Sequence, residues 1–219
     1  MRKAFICVIL LILLQLSAYA GFLSGNSSPY VEGEGHYSSN LSASTLMVGT
    51  PFSLICLTIK YGYDDRVCLL AKYGNATIDY STVSDKYLTS DPILGGFGFE
   101  YLVSGSRKTE YYAFVSEYET ATWAINRAGN TSNEILLGLD YSYPSSDFMR
   151  TRYRLAVHNF YAGPNSEEKI ATSVKYSFST EIEYNFTKYF KGSFQANIYL
   201  GDPVGGLLAS YGLGLGINI

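Results

Sequence analysis

The chain has 219 residues, a length suited to one domain, with 16 Lys and Arg against 19 Asp and Glu. The resulting charge of −3 excludes a nucleic-acid partner held by a basic face. Beyond the first 20 residues no apolar run is long enough for a spanning helix, yet 16% of the chain is aromatic, with 21 Tyr, 12 Phe and one Trp.

At the N-terminus Arg2 and Lys3 precede an apolar run from Ala4 to Leu14, followed by Ala18-Tyr19-Ala20, the small-x-small pattern of a leader cleaved after Ala20. Residues 1–20 are expected to be a removed signal peptide and 21–219 the mature domain. The apolar run is too short for a membrane helix, and Cys7 lacks the preceding small residue that lipid attachment needs. Without its leader the chain keeps 14 Lys and Arg against 19 Asp and Glu.

From residue 52 onward the hydrophobic pattern has period two, and helical spacing is nowhere sustained over three turns. Nine strands are expected, at about 52–61, 66–80, 93–103, 109–123, 133–143, 148–161, 171–187, 191–200 and 207–219. The last is the clearest. Tyr211, Leu213, Leu215, Ile217 and Ile219 share one face, and Ser210, Gly212, Gly214, Gly216 and Asn218 the other. In 171–187, Val174, Tyr176, Phe178, Ile182 and Tyr184 oppose Lys175, Ser177, Ser179, Glu181 and Glu183. An odd count leaves the termini at opposite ends, so residues 29–39 are expected to supply a further strand. Ten strands result, with eight as the alternative and Asn40 to Pro51 as the least regular stretch.

Alternation alone does not say which face points inward, since a soluble barrel buries its apolar face. The polar face of the last strand is nearly all Gly, Ser and Asn, small residues suited to a crowded interior. Connections also alternate in length, short at 62–65, 104–108, 144–147 and 187–191, longer at 81–92, 124–132 and 162–169, as in barrels that cross an outer membrane. The expected fold is therefore all-β, a closed antiparallel up-and-down transmembrane barrel with its apolar face toward lipid. Tyr61, Tyr73, Tyr101, Tyr143, Tyr161 and Tyr184 are expected at strand ends as an interfacial girdle.

The segment Lys60-Tyr61-Gly62-Tyr63-Asp64-Asp65-Arg66-Val67 resembles a hairpin common in small bacterial outer-membrane β-barrels. The ending Gly212-Leu213-Gly214-Leu215-Gly216-Ile217-Asn218-Ile219 resembles their assembly signal. Gly214, Ile217 and Ile219 match that signal. The terminal Ile replaces the usual aromatic, and Gly212 stands where a polar residue is usual. The resemblance implies residence in the outer membrane of a Gram-negative-type bacterium, among its lipids, after insertion by the barrel-assembly machinery; it implies no activity.

Candidate functional residues lie on the polar faces. Arg150, Arg152, Arg154 and Lys175 are expected to share the lumen with Glu117, Glu119, Asp140, Glu181 and Glu183. Such a set either selects solutes, as in a porin-like channel, or plugs the lumen with ion pairs; a barrel this narrow favours the plug. His158 is the one histidine on a clear strand, and no Ser or Asp stands in a recognisable motif around it, so an inert role is expected. A three-residue turn at Tyr61-Gly62-Tyr63 sets Cys56 opposite Cys68, as a disulfide requires, whereas a two-residue turn leaves two buried thiols. Metal or cofactor spacing is absent. The expected function is that of a non-enzymatic envelope protein whose long loops meet an extracellular partner. The alternatives are a narrow channel for small solutes and a lipid or peptide hydrolase using His158.

Overall fold

A computed structural model describes residues 35–46, 52–78, 93–125, 128–164, 171–200 and 208–218. The expected leader, residues 29–34, the connection 81–92 and Ile219 lie outside them. Among the described residues there are ten strands: β1 (Tyr37–Leu46), β2 (Phe52–Gly62), β3 (Val67–Ile78), β4 (Ile93–Gly105), β5 (Tyr111–Ile125), β6 (Ala128–Ser146), β7 (Met149–Pro164), β8 (Ala171–Asn185), β9 (Phe190–Leu200) and β10 (Leu208–Asn218). Each pairs antiparallel with its neighbours in sequence, and β1 also pairs with β10. The sheet thus closes into an up-and-down barrel of ten strands, and the eight-strand alternative falls.

The period of two sorts each strand into an outer and an inner row. On β8, Val174, Tyr176, Phe178 and Tyr184 are exposed, while Ser177, Ser179, Glu181 and Glu183 are buried. On β10, Leu213, Leu215 and Ile217 face out, while Gly212, Gly214 and Gly216 are buried. Leu155 on β7 is 62% exposed and its neighbour Arg154 only 8%. A barrel folded for water has this arrangement reversed.

Two elements differ from expectation. The first described strand is Tyr37–Leu46, which overlaps the expected 29–39 only at its end: Gly35, at φ 75°, forms a turn before it, and Tyr37 pairs with Tyr61. Its alternation is faint because serine occurs on both faces, with Ser38 and Ser42 buried beside Ser39 and Ala43 on the outer row. The second is 124–132, expected as a long loop. β5 and β6 remain paired out to Ile125 and Ala128, which leaves only residues 126–127 between them. Polar composition there misled because backbone bonds alone can hold a hairpin paired.

One end of the barrel, the turn end, carries residues 63–66, 106–110, 147–148 and 186–189 between strands; the other, the loop end, carries 47–51, 79–92, 126–127, 165–170 and 201–207. At the turn end, Asp64 Oδ1 accepts hydrogen bonds from the backbone N–H groups of Arg66 and Val67, both at 2.6 Å. Two of these turns are tied to the neighbouring strand, by Leu102 N–H to Arg66 O and Asn218 N–H to Tyr189 O. Aromatic rings form a band around this end: Tyr37 stacks on Tyr61 at 4.6 Å, and Tyr112, Tyr141, Tyr143 and Tyr153 follow one another at 4.8, 5.5 and 6.4 Å. Tyr184 and Phe186 continue it. Tyr101 lies beside the same band, opposite Val67. Tyr73, opposite Leu57 and Gly95, sits near the middle of β3 instead of at its end, and the side chain of Tyr161 lies outside the description.

Gly96 and Gly98 on β4 show how backbone choice prepares the interior. A Cβ at Gly98 would stand 2.3 Å from the Ser116 carbonyl oxygen and 3.0 Å from Glu117 Cγ; at Gly96 it would meet Tyr118 O at 2.9 Å and Glu119 Cγ at 3.0 Å. Their bare backbone leaves the room through which two glutamates reach the lumen. Gly98→Ala is therefore expected to destabilise the barrel by about 1–3 kcal/mol, because the atom it meets belongs to the backbone and cannot turn aside. The midpoint of urea unfolding checks this; an unchanged midpoint contradicts the close approach.

Candidate functional site in the barrel interior

Inward-facing charges from β2 through β9 meet in the lumen in three tiers. At the turn end, Lys60 Nζ donates to Glu100 Oε2 at 2.5 Å, and Arg107 reaches in from the 106–110 turn to bond the other oxygen of the same carboxylate. Arg150 donates to the carbonyl oxygens of Thr109 and Arg107, each at 3.0 Å, and to Ser142 Oγ at 3.1 Å. The Arg107 and Arg150 guanidinium groups both lie over the fully buried ring of Tyr111, at 5.6 and 5.7 Å. Two cations, one ring and the turn's own carbonyls make a floor.

Arginines hold the middle tier. Arg154 binds Asp140 through both oxygens, Nε to Oδ1 at 2.7 Å and Nη2 to Oδ2 at 3.0 Å, and donates to Glu117 Oε1 at 2.9 Å. The bidentate geometry follows from register, since the two residues are direct partners across β6 and β7. Arg152 faces its direct partner Glu181 at 3.4 Å; nearer the turn end, Lys191 meets Glu183, the direct partner of Arg150, at 3.0 Å. A cavity of about 10 Å³ bounded by Arg152, Arg154, Ser179, Glu181 and Gln195 has room for roughly one water molecule.

Nearer the loop end, Lys72 spans β4 to reach two carboxylates on β5, bonding Glu117 and, at 2.5 Å, Glu119. Lys72, Gly96 and Glu119 lie on one register line across β3, β4 and β5, which is why the middle residue is glycine. Next to it around the wall, on the strands that follow Glu119, His158 Nδ1 bonds Glu134 Oε1, and its Nε2 lies 2.7 Å from Ser177 Oγ. Glu134, His158 and Ser177 stand on consecutive strands and are all buried.

Of the expected charge set, Glu117, Glu119, Asp140, Arg150, Arg152, Arg154, Glu181 and Glu183 are buried in the lumen. Lys175 is on the same wall, half-buried, at the register of His158. Lys60, Lys72, Glu100, Glu134 and Lys191 were missed, although the parity of their strands already pointed them inward. Arg107 had no such signal, because turn residues have no face.

Of the two arrangements open for Cys56 and Cys68, the disulfide is not formed and the pair of buried thiols is found: both are free and buried. Register explains it. Cys56 lies opposite Gly74 and Cys68 opposite Gly62. The turn that Asp64 caps is centred three residues later than Tyr61-Gly62-Tyr63, which offsets the two cysteines by six residues, about 20 Å along the strand. Gly214 and Ile217 of the expected assembly signal occupy inner and outer rows of β10.

Lys72 carries the test of pairing. Lys72→Met leaves Glu117 its arginine but strips Glu119 of its ammonium partner, and is expected to cost about 3–5 kcal/mol. Adding Glu119→Gln should recover part of that loss, because the stranded charge is then gone. Chemical unfolding of the two variants measures both steps.

No family model matches the chain, and neither does any curated protein. Solved structures that resemble it include the N-terminal β-barrel domain of Pseudomonas aeruginosa OprF, at 14% identity over 85% of this chain and 99% of that one, with a TM-score of 0.37. An outer membrane channel from Pseudomonas putida F1 is similar at 12% identity over 91% and 99%, with a TM-score of 0.38. The translocator domain of the autotransporter NalP from Neisseria meningitidis is similar at 11% identity over 84% and 86%, with a TM-score of 0.40.

Proposed function

We propose that this protein is an integral outer-membrane barrel whose lumen is closed by an electrostatic plug, so that it serves the envelope through its wall and its loop end and not as a conduit. The observation that carries the reading is the inversion of faces: exposed Leu, Ile, Val, Phe and Tyr ring an interior of buried ion pairs. In water this arrangement exposes apolar surface all round and buries charge, two costs with no return. In lipid the first cost vanishes, and pairing offsets the second. Closure of β1 on β10 leaves no unpaired edge, which hydrocarbon demands.

Exported by its leader and inserted by the barrel-assembly machinery, the chain would set its turn end and aromatic band at the periplasmic interface and its loop end outside, where an extracellular partner can reach it. The plug reading is favoured over a channel because cations and carboxylates bond one another in every tier, and the cavity among the middle arginines is water-sized.

Two measurements test these statements separately. Leu155→Arg, at mid-wall, is expected to destabilise the barrel in phospholipid vesicles by about 2–4 kcal/mol, and Val103→Arg, near the turn end, by only about 0–1; equal penalties contradict a bilayer around the wall. In planar bilayers the purified protein should give no discrete conductance steps. Reproducible steps whose ion preference changes in Arg152→Ala would overturn the plug and leave the membrane assignment standing.

A further inference from the structure

We infer that Ser177, His158 and Glu134 form a nucleophilic relay that cleaves short-chain carboxylic esters entering from the loop end. This goes beyond the plug, and it does not depend on whether the lumen conducts.

Geometry assigns the roles. In the tautomer in which Nδ1 carries the proton, His158 donates it to Glu134 Oε1. Nε2 is then a lone pair, and the group 2.7 Å from it is the Ser177 hydroxyl, which donates. That order of hydroxyl, imidazole and carboxylate is what activates a serine. Every other carboxylate in the described lumenal ion pairs is held by Lys or Arg, and Glu134 alone by an imidazole.

Register explains how three unremarkable residues meet. Leu136 is the direct partner of His158 across β6 and β7, and Ala156 that of Ser177 across β7 and β8. Glu134 and Ser177 are therefore each displaced two residues from the histidine along their own strands, on the same inner face, and the relay runs diagonally across the wall. It lies six residues from the loop end on β6, β7 and β8. Access is from that side, because the floor of Arg107, Arg150 and Tyr111 closes the other.

The reaction balances with water as the second substrate. Ser177 Oγ attacks the ester carbonyl carbon while its proton passes to His158 Nε2. The carbon–alkoxide bond breaks, and the alcohol leaves with that proton. Water then attacks the acyl-serine, its proton passes through Nε2 to Oγ, and a carboxylic acid is released. Val115, Leu136 and Ala156 are buried together, and Leu136 is the cross-strand partner of His158, so the wall beside the histidine is apolar and suits a small acyl group. Lys175, two residues from Ser177 on the inner face, brings a cation to the side from which substrate arrives, as stabilising a developing oxyanion requires.

The test uses the full-length barrel folded in vesicles, phenylmethylsulfonyl fluoride as the covalent probe and p-nitrophenyl acetate as the ester. A single sulfonyl adduct on Ser177, found by peptide mass spectrometry, is expected, with ester hydrolysis lost in Ser177→Ala. His158→Ala should slow labelling at least a hundredfold while the protein keeps the faster gel migration of an unboiled barrel. If that variant fails to fold, His158→Gln, which keeps an amide between Glu134 and Ser177, carries the comparison. Glu134 is a positioning residue. Glu134→Gln should slow labelling more than tenfold and Glu134→Asp should restore part of the rate, a rescue that a purely structural carboxylate would not give. Absence of an adduct on folded wild-type protein, or equal labelling with and without the imidazole, overturns the proposal.

Discussion

Charge pairing in a desolvated interior is the constraint on which the rest of this structure turns. Cations and carboxylates removed from water are tolerable only when each finds an opposite group at hydrogen-bonding distance, and the free energy lost when one is missing is large. Pairing in turn fixes register, because a slip of one residue in any strand would carry its whole row of charges to the outer face. Asp140 and Arg154 meet as a fork because they are direct cross-strand partners. Glu117 and Glu119 reach Lys72 because two glycines stand between them. The barrel's width, its glycines and its strand offsets are consequences of one requirement.

The two surfaces of the wall divide the work. Outside, apolar side chains need only be apolar, and their order is free. Inside, identity matters residue by residue, and the tiers differ in kind: carbonyls and a tyrosine ring hold guanidinium groups at the floor, arginines hold the middle, and an ammonium and an imidazole hold the upper walls. The aromatic band circles the same end as the floor, so the wall's most amphipathic side chains and its most sealed cross-section coincide.

Much of this was legible in the residues alone. Period two, the polar-small face of the last strand and the number of strands led to a closed barrel of ten, and the parity of β5 to β8 placed eight of nine expected charges in the buried lumen. Register was the unreadable part. The turn at Asp64 is centred three residues beyond Gly62, which shifts β3 against β2 by six residues, enough to separate Cys56 from Cys68. The same blindness hid the meeting of Glu134, His158 and Ser177, since neighbours on a diagonal are known only once every strand offset is known. The first strand was misplaced for another reason: serine on both faces leaves hardly any pattern to read.

One feature of the closing seam reaches further. The inner row of β10 is Ser210, Gly212, Gly214, Gly216 and Asn218, and the described inner positions of β1 are Ser38 and Ser42; the side-chain bond that spans the two strands is neutral, from Ser38 Oγ to Asn218 Oδ1 at 2.7 Å. Parting the sheet there separates none of the described ion pairs. The lumenal salt lattice can therefore assemble on β2 to β9 while the cylinder is still open, and the final zipping of first strand to last proceeds without an electrostatic toll.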